Sequence, residues 1–221
     1  MNVEVLDDPG AVVADLLVDA AGAGGHLVIT GGSSPRVAYE RAAGRDADWS
    51  GVTVWFSDER CVPPDHEWSN FGMADRALLS RLNKPPQVLR MEGERGHEEG
   101  AAAYERELRE REARFDLVLL GLGPDAHTAS LFPGKPEAAT DDRLVVGVPQ
   151  AGMEPQVPRI SLALPVLNSA RHVVFLVTGP DKAPAVARAF GDPPDPSSPA
   201  AHVRPSGELT VLLDPAAAAE L

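Results

Sequence analysis

A histidine with an acidic neighbour is the strongest candidate for catalysis in this sequence. His127 follows Asp125 by two residues, on a glycine-rich loop that comes directly after the apolar run 117–121. Imidazole has an unperturbed pKa near 6.5, so it can accept a proton from water at neutral pH. Its place just beyond a predicted strand sets His127 apart. We interpret the other five histidines as surface or packing residues: His26, His66, His97, His172 and His202.

A second segment has the composition of an anion-binding loop. Gly31, Gly32, Ser33 and Ser34 follow the apolar run 27–30, and a proline comes next where a helix can begin. Glycines let backbone amides approach an anion, hydroxyls donate to phosphate oxygens, and a helix N-terminus adds a favourable dipole. The same residues also suit a simple tight turn. The segment matches neither a Walker loop nor a Gly-x-Gly-x-x-Gly fingerprint.

Two cations occupy equivalent positions after other apolar runs. Arg60 follows residues 52–56 and could grip a phosphate or carboxylate through two parallel hydrogen bonds. Its neighbours Asp58 and Glu59 could equally serve in a structural ion pair. Lys182 follows residues 173–177 and would lie at the same edge of the sheet. Ligands bind beyond the carboxyl ends of the strands in open α/β sheets.

The elements that must position these residues form an alternating pattern. Short, continuously apolar runs suit central parallel strands that are covered on both faces. Segments of helical period lie between them, which predicts a Rossmann-like, doubly wound, mostly parallel sheet with helices on both faces and one domain over residues 1–221. The strand candidates are 27–30, 52–56, 117–121 and 173–177, with weaker ones at 144–148, 159–164 and 209–213. The helix candidates are 11–21, 70–82, 98–114, 181–190 and a short one at 216–219.

Composition excludes several classes of protein. The net charge is −13, and no basic cluster suggests nucleic-acid binding. No apolar run is long enough for a membrane span, and the acidic N-terminus lacks a secretory signal pattern, so we expect a cytoplasmic protein. The single cysteine, Cys61, excludes an internal disulfide, and no metal-ligand cluster or Gly-x-Ser-x-Gly elbow is present. We therefore expect no metal, no cofactor, no nucleic-acid partner and no membrane partner.

Together these segments resemble the 6-phosphogluconolactonase family of the glucosamine-6-phosphate deaminase-like superfamily. Residues 30–35 look like its phosphate loop, 58–60 like its second block, and 158–162 and 178–182 like its later blocks. The long segment 121–134, Gly-Leu-Gly-Pro-Asp-Ala-His-Thr-Ala-Ser-Leu-Phe-Pro-Gly, is similar to the family signature. One departure is Ala126, which stands where the family usually has glycine; a positive φ there would cost about 1 kcal/mol for alanine.

The resemblance implies hydrolysis of 6-phospho-D-glucono-1,5-lactone to 6-phosphogluconate in the oxidative pentose phosphate pathway. Our mechanistic hypothesis is direct hydrolysis without a covalent intermediate. His127 would be the general base, Asp125 would orient it, and Arg60 would bind the phosphate or the developing oxyanion. Gly31, Gly32, Ser33, Ser34 and Lys182 would hold the phosphate, with Arg159 a further candidate. Two rivals are a sugar-phosphate deaminase/isomerase, disfavoured because 128–133 lacks its glutamate, and a non-catalytic sugar-phosphate sensor. We expect a monomer or weak homodimer.

Overall fold

A parallel seven-stranded sheet forms the centre of the computed structural model, which describes residues 1–221. The strands of the protein, in chain order, are β1 (Asn2–Val5), β2 (Gly25–Ile29), β3 (Val52–Phe56), β4 (Asp58–Arg60), β5 (Gln87–Val88), β6 (Leu117–Leu120), β7 (Val145–Val148), β8 (Arg159–Leu162), β9 (His172–Val177) and β10 (Glu208–Leu213). The order across the large sheet is β1-β10-β9-β6-β2-β3-β5. The chain proceeds outward from β2 on one side and returns to β6 on the other. A cleft between these two strands is therefore the expected ligand site.

Helices cover both faces of the large sheet. They are α1 (Pro9–Ala23), α2 (Ser33–Ala43), α3 (Asn70–Ala77), α4 (His97–Glu110), α5 (Leu164–Asn168) and α6 (Ala183–Phe190). In β6, Leu119 packs in a cluster with buried residues of α1, α2 and α3, whereas Val118 packs with buried residues of α4 and α6. Alternate residues of one strand thus enter opposite core layers, which explains why the central strands are apolar throughout. The predicted doubly wound α/β fold is confirmed.

A second, antiparallel sheet of β4, β8 and β7 lies beside the large one. The chain leaves β3 through Ser57 and begins β4 at once, so the small sheet starts at the carboxyl end of a central strand. Arg60 of β4 lies directly opposite Arg159 of β8 in the register. This sheet contains two segments, 144–148 and 159–164, that we predicted as weaker strands without assigning them to a sheet.

Several element boundaries differ from the sequence prediction. The helix predicted over 70–82 ends as α3 at Ala77 and is followed by a 3-10 turn, Leu79–Arg81. The helix predicted over 181–190 is α6, which begins at Ala183 after the 3-10 turn Pro180–Lys182. The helix predicted at 216–219 is wrong, because these residues form turns. A run of four residues makes too few i to i−4 hydrogen bonds to offset the cost of helix nucleation. None of the helices combines the length and apolar character needed to cross a membrane.

Candidate active site

Loops from the carboxyl ends of four parallel strands meet in one cleft of about 240 Å³. They follow β2, β3, β6 and β9, at the switch point of the strand order. Every candidate residue from the sequence except Asp125 lines this cleft, and Asp125 contacts His127, which does line it. The lining candidates are Gly31, Gly32, Ser33, Ser34, Arg60, His127, Arg159 and Lys182. The structure therefore brings the candidates together at one place.

His127 and Asp125 form a hydrogen-bonded pair. The Nδ1 atom of His127 lies 2.5 Å from Asp125 Oδ1, and the same oxygen accepts the His127 backbone N–H at 3.1 Å. Burial raises the pKa of Asp125, but the hydrogen bond and charge of His127 outweigh it and lower that pKa below its usual value. Since an ionised carboxylate can only accept, Nδ1 must carry the proton. Nε2 is then the basic nitrogen, and it has no hydrogen-bond partner within the protein.

The His127 ring is held in place by two close neighbours. Its centroid lies 4.6 Å from that of Phe132. The ring also packs against Gly123, where an added Cβ would lie 2.0 Å from Nδ1. The Gly123 backbone N–H also donates to the His127 carbonyl at 2.9 Å. Only a residue without a side chain fits at position 123 with the ring in this orientation.

Ala126 has a φ of 66°, in the left-handed region. The glycine usual in the family would adopt this conformation without strain, whereas for alanine it costs about 1–2 kcal/mol of conformational free energy. The Ala126 methyl is fully buried in the core that covers β6. Its carbonyl accepts the Ala200 N–H at 3.3 Å, and Arg188 Nη2 donates to the Pro124 carbonyl at 2.8 Å. These contacts hold the loop that carries His127 in this conformation despite the alanine.

Ala126→Gly should change stability little, because the opposing contributions are similar. Relief of strain offsets the lost burial of a methyl, about 0.8 kcal/mol, and the greater flexibility of unfolded glycine, about 0.4–1 kcal/mol. We expect the free energy of unfolding to stay within about 1 kcal/mol of the wild type and turnover to be retained. Ala126→Val, a β-branched residue in a filled site at positive φ, should instead lose about 3 kcal/mol and most activity. Guanidinium unfolding of both variants tests this, and a stable, active valine variant would contradict it.

The loop after β2 exposes the N-terminus of α2 to the cleft. Gly32, with a φ of 116°, precedes the helix, and no side chain caps it. The first helical N–H groups therefore have no partner within the helix and remain available to an anion. Behind the loop, the buried Tyr39 hydroxyl accepts from the Thr30 N–H at 2.9 Å and donates to the Thr30 carbonyl at 2.8 Å. This pair of bonds fixes the point at which the strand becomes the loop.

A hydroxyl pair joins this loop to the segment after β9. Ser34 Oγ lies 2.6 Å from Thr178 Oγ1, and both residues line the cleft together with Lys182. Thr178 lies within the family-like block 178–182 but was not among the predicted site residues. Its position directly after an apolar strand was the available signal. Met153 and Glu154 also line the cleft from a long loop that has no periodic pattern.

Arg60 and Arg159 line the cleft as cations without a carboxylate partner. Neither forms a salt bridge, and the Nε atom of each is buried without a partner. Arg60 Nη1 donates to the Trp68 carbonyl at 2.7 Å, and Arg159 Nη2 to the Pro155 carbonyl at 2.9 Å. Burial lowers the pKa of Arg159; Asp58 opposes this and Arg60 adds to it. Two adjacent cations with spare donors could bind an anion locally in a protein of net charge −13.

Asp58 and Glu59 have different surroundings, which the sequence could not distinguish. Asp58 lines the cleft, and its carboxylate accepts from Ser130 Oγ at 2.7 Å, Ser57 Oγ at 3.1 Å and Asn70 Nδ2 at 3.2 Å. Glu59 is buried and is not among the cleft residues. Its carboxylate receives four hydrogen bonds from the protein, including the Asn70 and Phe71 N–H groups that begin α3. Glu59 is therefore a structural cap.

Glu59→Gln should destabilise the fold by about 3 kcal/mol. The amide nitrogen would face two hydrogen-bond donors, and it cannot accept a hydrogen bond from either. Guanidinium unfolding measures the change. Glu40→Gln is the matched control, since Glu40 is exposed and forms no salt bridge; it should shift stability by no more than about 0.5 kcal/mol. Equal stabilities for the two variants would show that the Glu59 carboxylate is not needed as a cap.

Cys61 does not line this cleft. Cys61 is half-buried beside β4, and burial raises the pKa of its thiol to about 11, so it stays protonated at neutral pH. The structure contains no group of three or more histidine, cysteine, aspartate or glutamate side chains placed to hold a metal ion.

Comparison with known proteins identifies the family. The family described as glucosamine-6-phosphate isomerases/6-phosphogluconolactonase matches residues 10–212. A 6-phosphogluconolactonase of Nostoc sp. is 37% identical, with 100% of this chain and 98% of the relative covered. The crystal structure of 6-phosphogluconolactonase from Thermotoga maritima superposes with a TM-score of 0.85 at 30% identity, covering 96% of this chain and 99% of the other.

A monomeric glucosamine-6-phosphate deaminase has the same fold, with a TM-score of 0.88 over 100% of both chains, but is only 16% identical. The match at that identity concerns architecture alone. The agreement of the family profile, the relatives at higher identity and the fold leads to one conclusion. This chain belongs to the glucosamine-6-phosphate isomerase/6-phosphogluconolactonase family.

Proposed function

We propose that this protein hydrolyses 6-phospho-D-glucono-1,5-lactone to 6-phosphogluconate, a step of the oxidative pentose phosphate pathway, and that residues 1–221 form one domain for this purpose. The observation that carries the proposal is the His127–Asp125 pair at one side of a cleft whose rim also holds an anion-binding helix N-terminus. A base near a phosphate site suits a substrate that has both a hydrolysable carbonyl and a phosphate. The Nostoc relative, at 37% identity, and the Thermotoga maritima structure, at 30%, are named for this activity.

His127 is the general base in this mechanism. Its Nε2 takes a proton from water as the water oxygen attacks the lactone carbonyl carbon. Asp125 keeps the proton on Nδ1 and stabilises the imidazolium that forms. When the tetrahedral intermediate collapses, the bond to the ring oxygen breaks, and the imidazolium returns the proton to that oxygen. No covalent enzyme intermediate is needed, and the products are a carboxylic acid, which ionises, and a free hydroxyl.

The cations and the glycine-rich loop supply binding and charge stabilisation. Gly31, Gly32, Ser33, Ser34 and Lys182 hold the phosphate and so fix the distant ring relative to His127. Arg60 has unpaired donors for the charge that develops on the carbonyl oxygen or for the phosphate, and Arg159 adds donors to the same wall. Binding energy from the phosphate would thereby orient the reacting carbonyl.

Lactone hydrolysis by the wild-type protein tests the proposal. The lactone is generated in the assay, the spontaneous reaction is subtracted, and no metal is added. We expect a rate well above background. Ammonia release from glucosamine 6-phosphate, measured in parallel, would instead indicate the deaminase branch. Tight 6-phosphogluconate binding with no acceleration of either reaction would indicate a sugar-phosphate sensor and would overturn the proposal.

A further inference from the structure

Asp214 follows β10 directly, at the start of the C-terminal turns, and lines a groove beside the cleft with Ser33, Ser34 and Thr178. It is beyond the last residue of the family match, which ends at residue 212. Because β10 pairs in parallel with β9, the end of β10 lies beside the segment that leaves β9 for the cleft. Asp214 is half-buried and forms no salt bridge. Its carboxylate is therefore directed at the backbone rather than at a cation.

Both oxygens of Asp214 accept the same backbone group, the Gly179 N–H, at 3.1 and 3.0 Å. Oδ1 also accepts the Ala217 N–H at 2.7 Å. Gly179 has a φ of 101° and begins the 3-10 turn Pro180–Lys182, and its carbonyl accepts the Lys182 N–H at 3.2 Å. Glycine adopts this φ without strain, but its backbone can also adopt many other conformations. The carboxylate restricts that freedom at the point where the turn begins.

The turn held by Asp214 carries two groups that line the cleft. Thr178 precedes Gly179 and reaches Ser34 of the phosphate loop at 2.6 Å, and Lys182 ends the turn. A change in the Gly179 peptide would alter the placement of both groups relative to the N-terminus of α2. From this connection we propose that Asp214 is a positioning residue for the phosphate end of the cleft. This inference rests on the proposed function, because it assigns the phosphate of the substrate to that end.

Asp214→Asn should weaken phosphate recognition without slowing the chemical step. The amide keeps one oxygen but places a donor against the Gly179 or Ala217 N–H. We expect KM for the lactone and Kd for 6-phosphogluconate to rise about tenfold, the size of effect expected from one charge-assisted hydrogen bond, with kcat within about threefold. Asp214→Glu, which keeps the carboxylate, should recover part of the affinity. Steady-state kinetics and calorimetry with 6-phosphogluconate and inorganic phosphate measure these effects.

Asp48→Asn is the matched control. Asp48 also accepts a backbone N–H, that of Ser50 at 3.0 Å, but it lies before β3, at the other end of the sheet. The Asp48→Asn substitution should leave KM for the lactone and the affinities for 6-phosphogluconate and inorganic phosphate unchanged. If Asp214→Asn lowers only the melting temperature and leaves KM and Kd at wild-type values, Asp214 merely caps the C-terminal turns and the inference is overturned.

A double-mutant cycle with Lys182→Gln tests whether Asp214 acts through the turn. We expect Asp214→Asn to raise Kd much less in the Lys182→Gln background than in the wild type, because its effect is transmitted partly by that lysine. Fully additive effects would contradict the proposal. A wild type that neither hydrolyses the lactone nor binds phosphate would overturn the proposed function and this inference together. An active wild type with an unaltered Asp214→Asn variant would overturn this inference alone.

Discussion

Replacing His127 with alanine should lower kcat for lactone hydrolysis by about 10²–10⁴-fold, the usual contribution of a positioned general base. Kd for 6-phosphogluconate should stay within about threefold of the wild-type value, since the residues proposed to hold the phosphate are others. The expected loss follows from the bond between Nδ1 and Asp125, which makes Nε2 the basic nitrogen. Stopped assays with the spontaneous rate subtracted measure the change in kcat.

His202→Ala is a suitable control for the His127 variant, because His202 is exposed and its side chain forms one hydrogen bond, from Nε2 to the Pro196 carbonyl. It should retain wild-type turnover. Near-normal turnover by His127→Ala would eliminate the assigned base. In that event the carboxylate of Asp58, which also lines the cleft, would be the next group to test.

Gly123→Ala should be nearly as damaging, although it removes no functional group. The new methyl would lie 2.0 Å from His127 Nδ1 and 2.1 Å from Cε1, far inside van der Waals contact. The ring must then move and lose its bond to Asp125. We expect kcat to fall by about 100-fold or more, since small misplacements of a catalytic group can cost that much. Crowding should also reduce stability by about 1–3 kcal/mol. Kinetics and guanidinium unfolding measure the two effects.

The His127→Ala background separates ring displacement from general damage to the loop. Without the imidazole, the added methyl has room, so most of the stability lost through Gly123→Ala should be absent in the double variant. Gly22→Ala is the control for adding a methyl, because a Cβ at this position in α1 would meet no atom within 4 Å. An active Gly123→Ala enzyme, or an equal loss of stability in both backgrounds, would contradict this account.

Local sequence was sufficient to locate the cleft. Continuously apolar runs predicted the central strands, and glycines and polar residues directly after them marked the carboxyl ends where His127, Arg60 and Lys182 lie together. This works because the alternation of strand and helix forces those ends onto one edge of the sheet. The assignment of individual roles to these residues remains a prediction for the kinetic experiments.

Other features depended on contacts between residues far apart in sequence. Neighbouring carboxylates Asp58 and Glu59 look equivalent in the chain, but one faces the cleft and the other caps α3. The small sheet joins β4 to strands about a hundred residues later, a pairing that no local pattern encodes. The edge strand β1 was missed because it is short and mostly exposed.

The fold class, the family and the set of candidate residues follow from the chain alone, because apolar periodicity and motif spacing are local properties. The folded protein was needed to show that Ala126 adopts a positive φ, that Gly123 gives the His127 ring its space, and that Asp214 holds the Gly179 turn. Each of these depends on packing or hydrogen bonding between separate segments. Because these segments are far apart in the sequence, only folding brings them into contact.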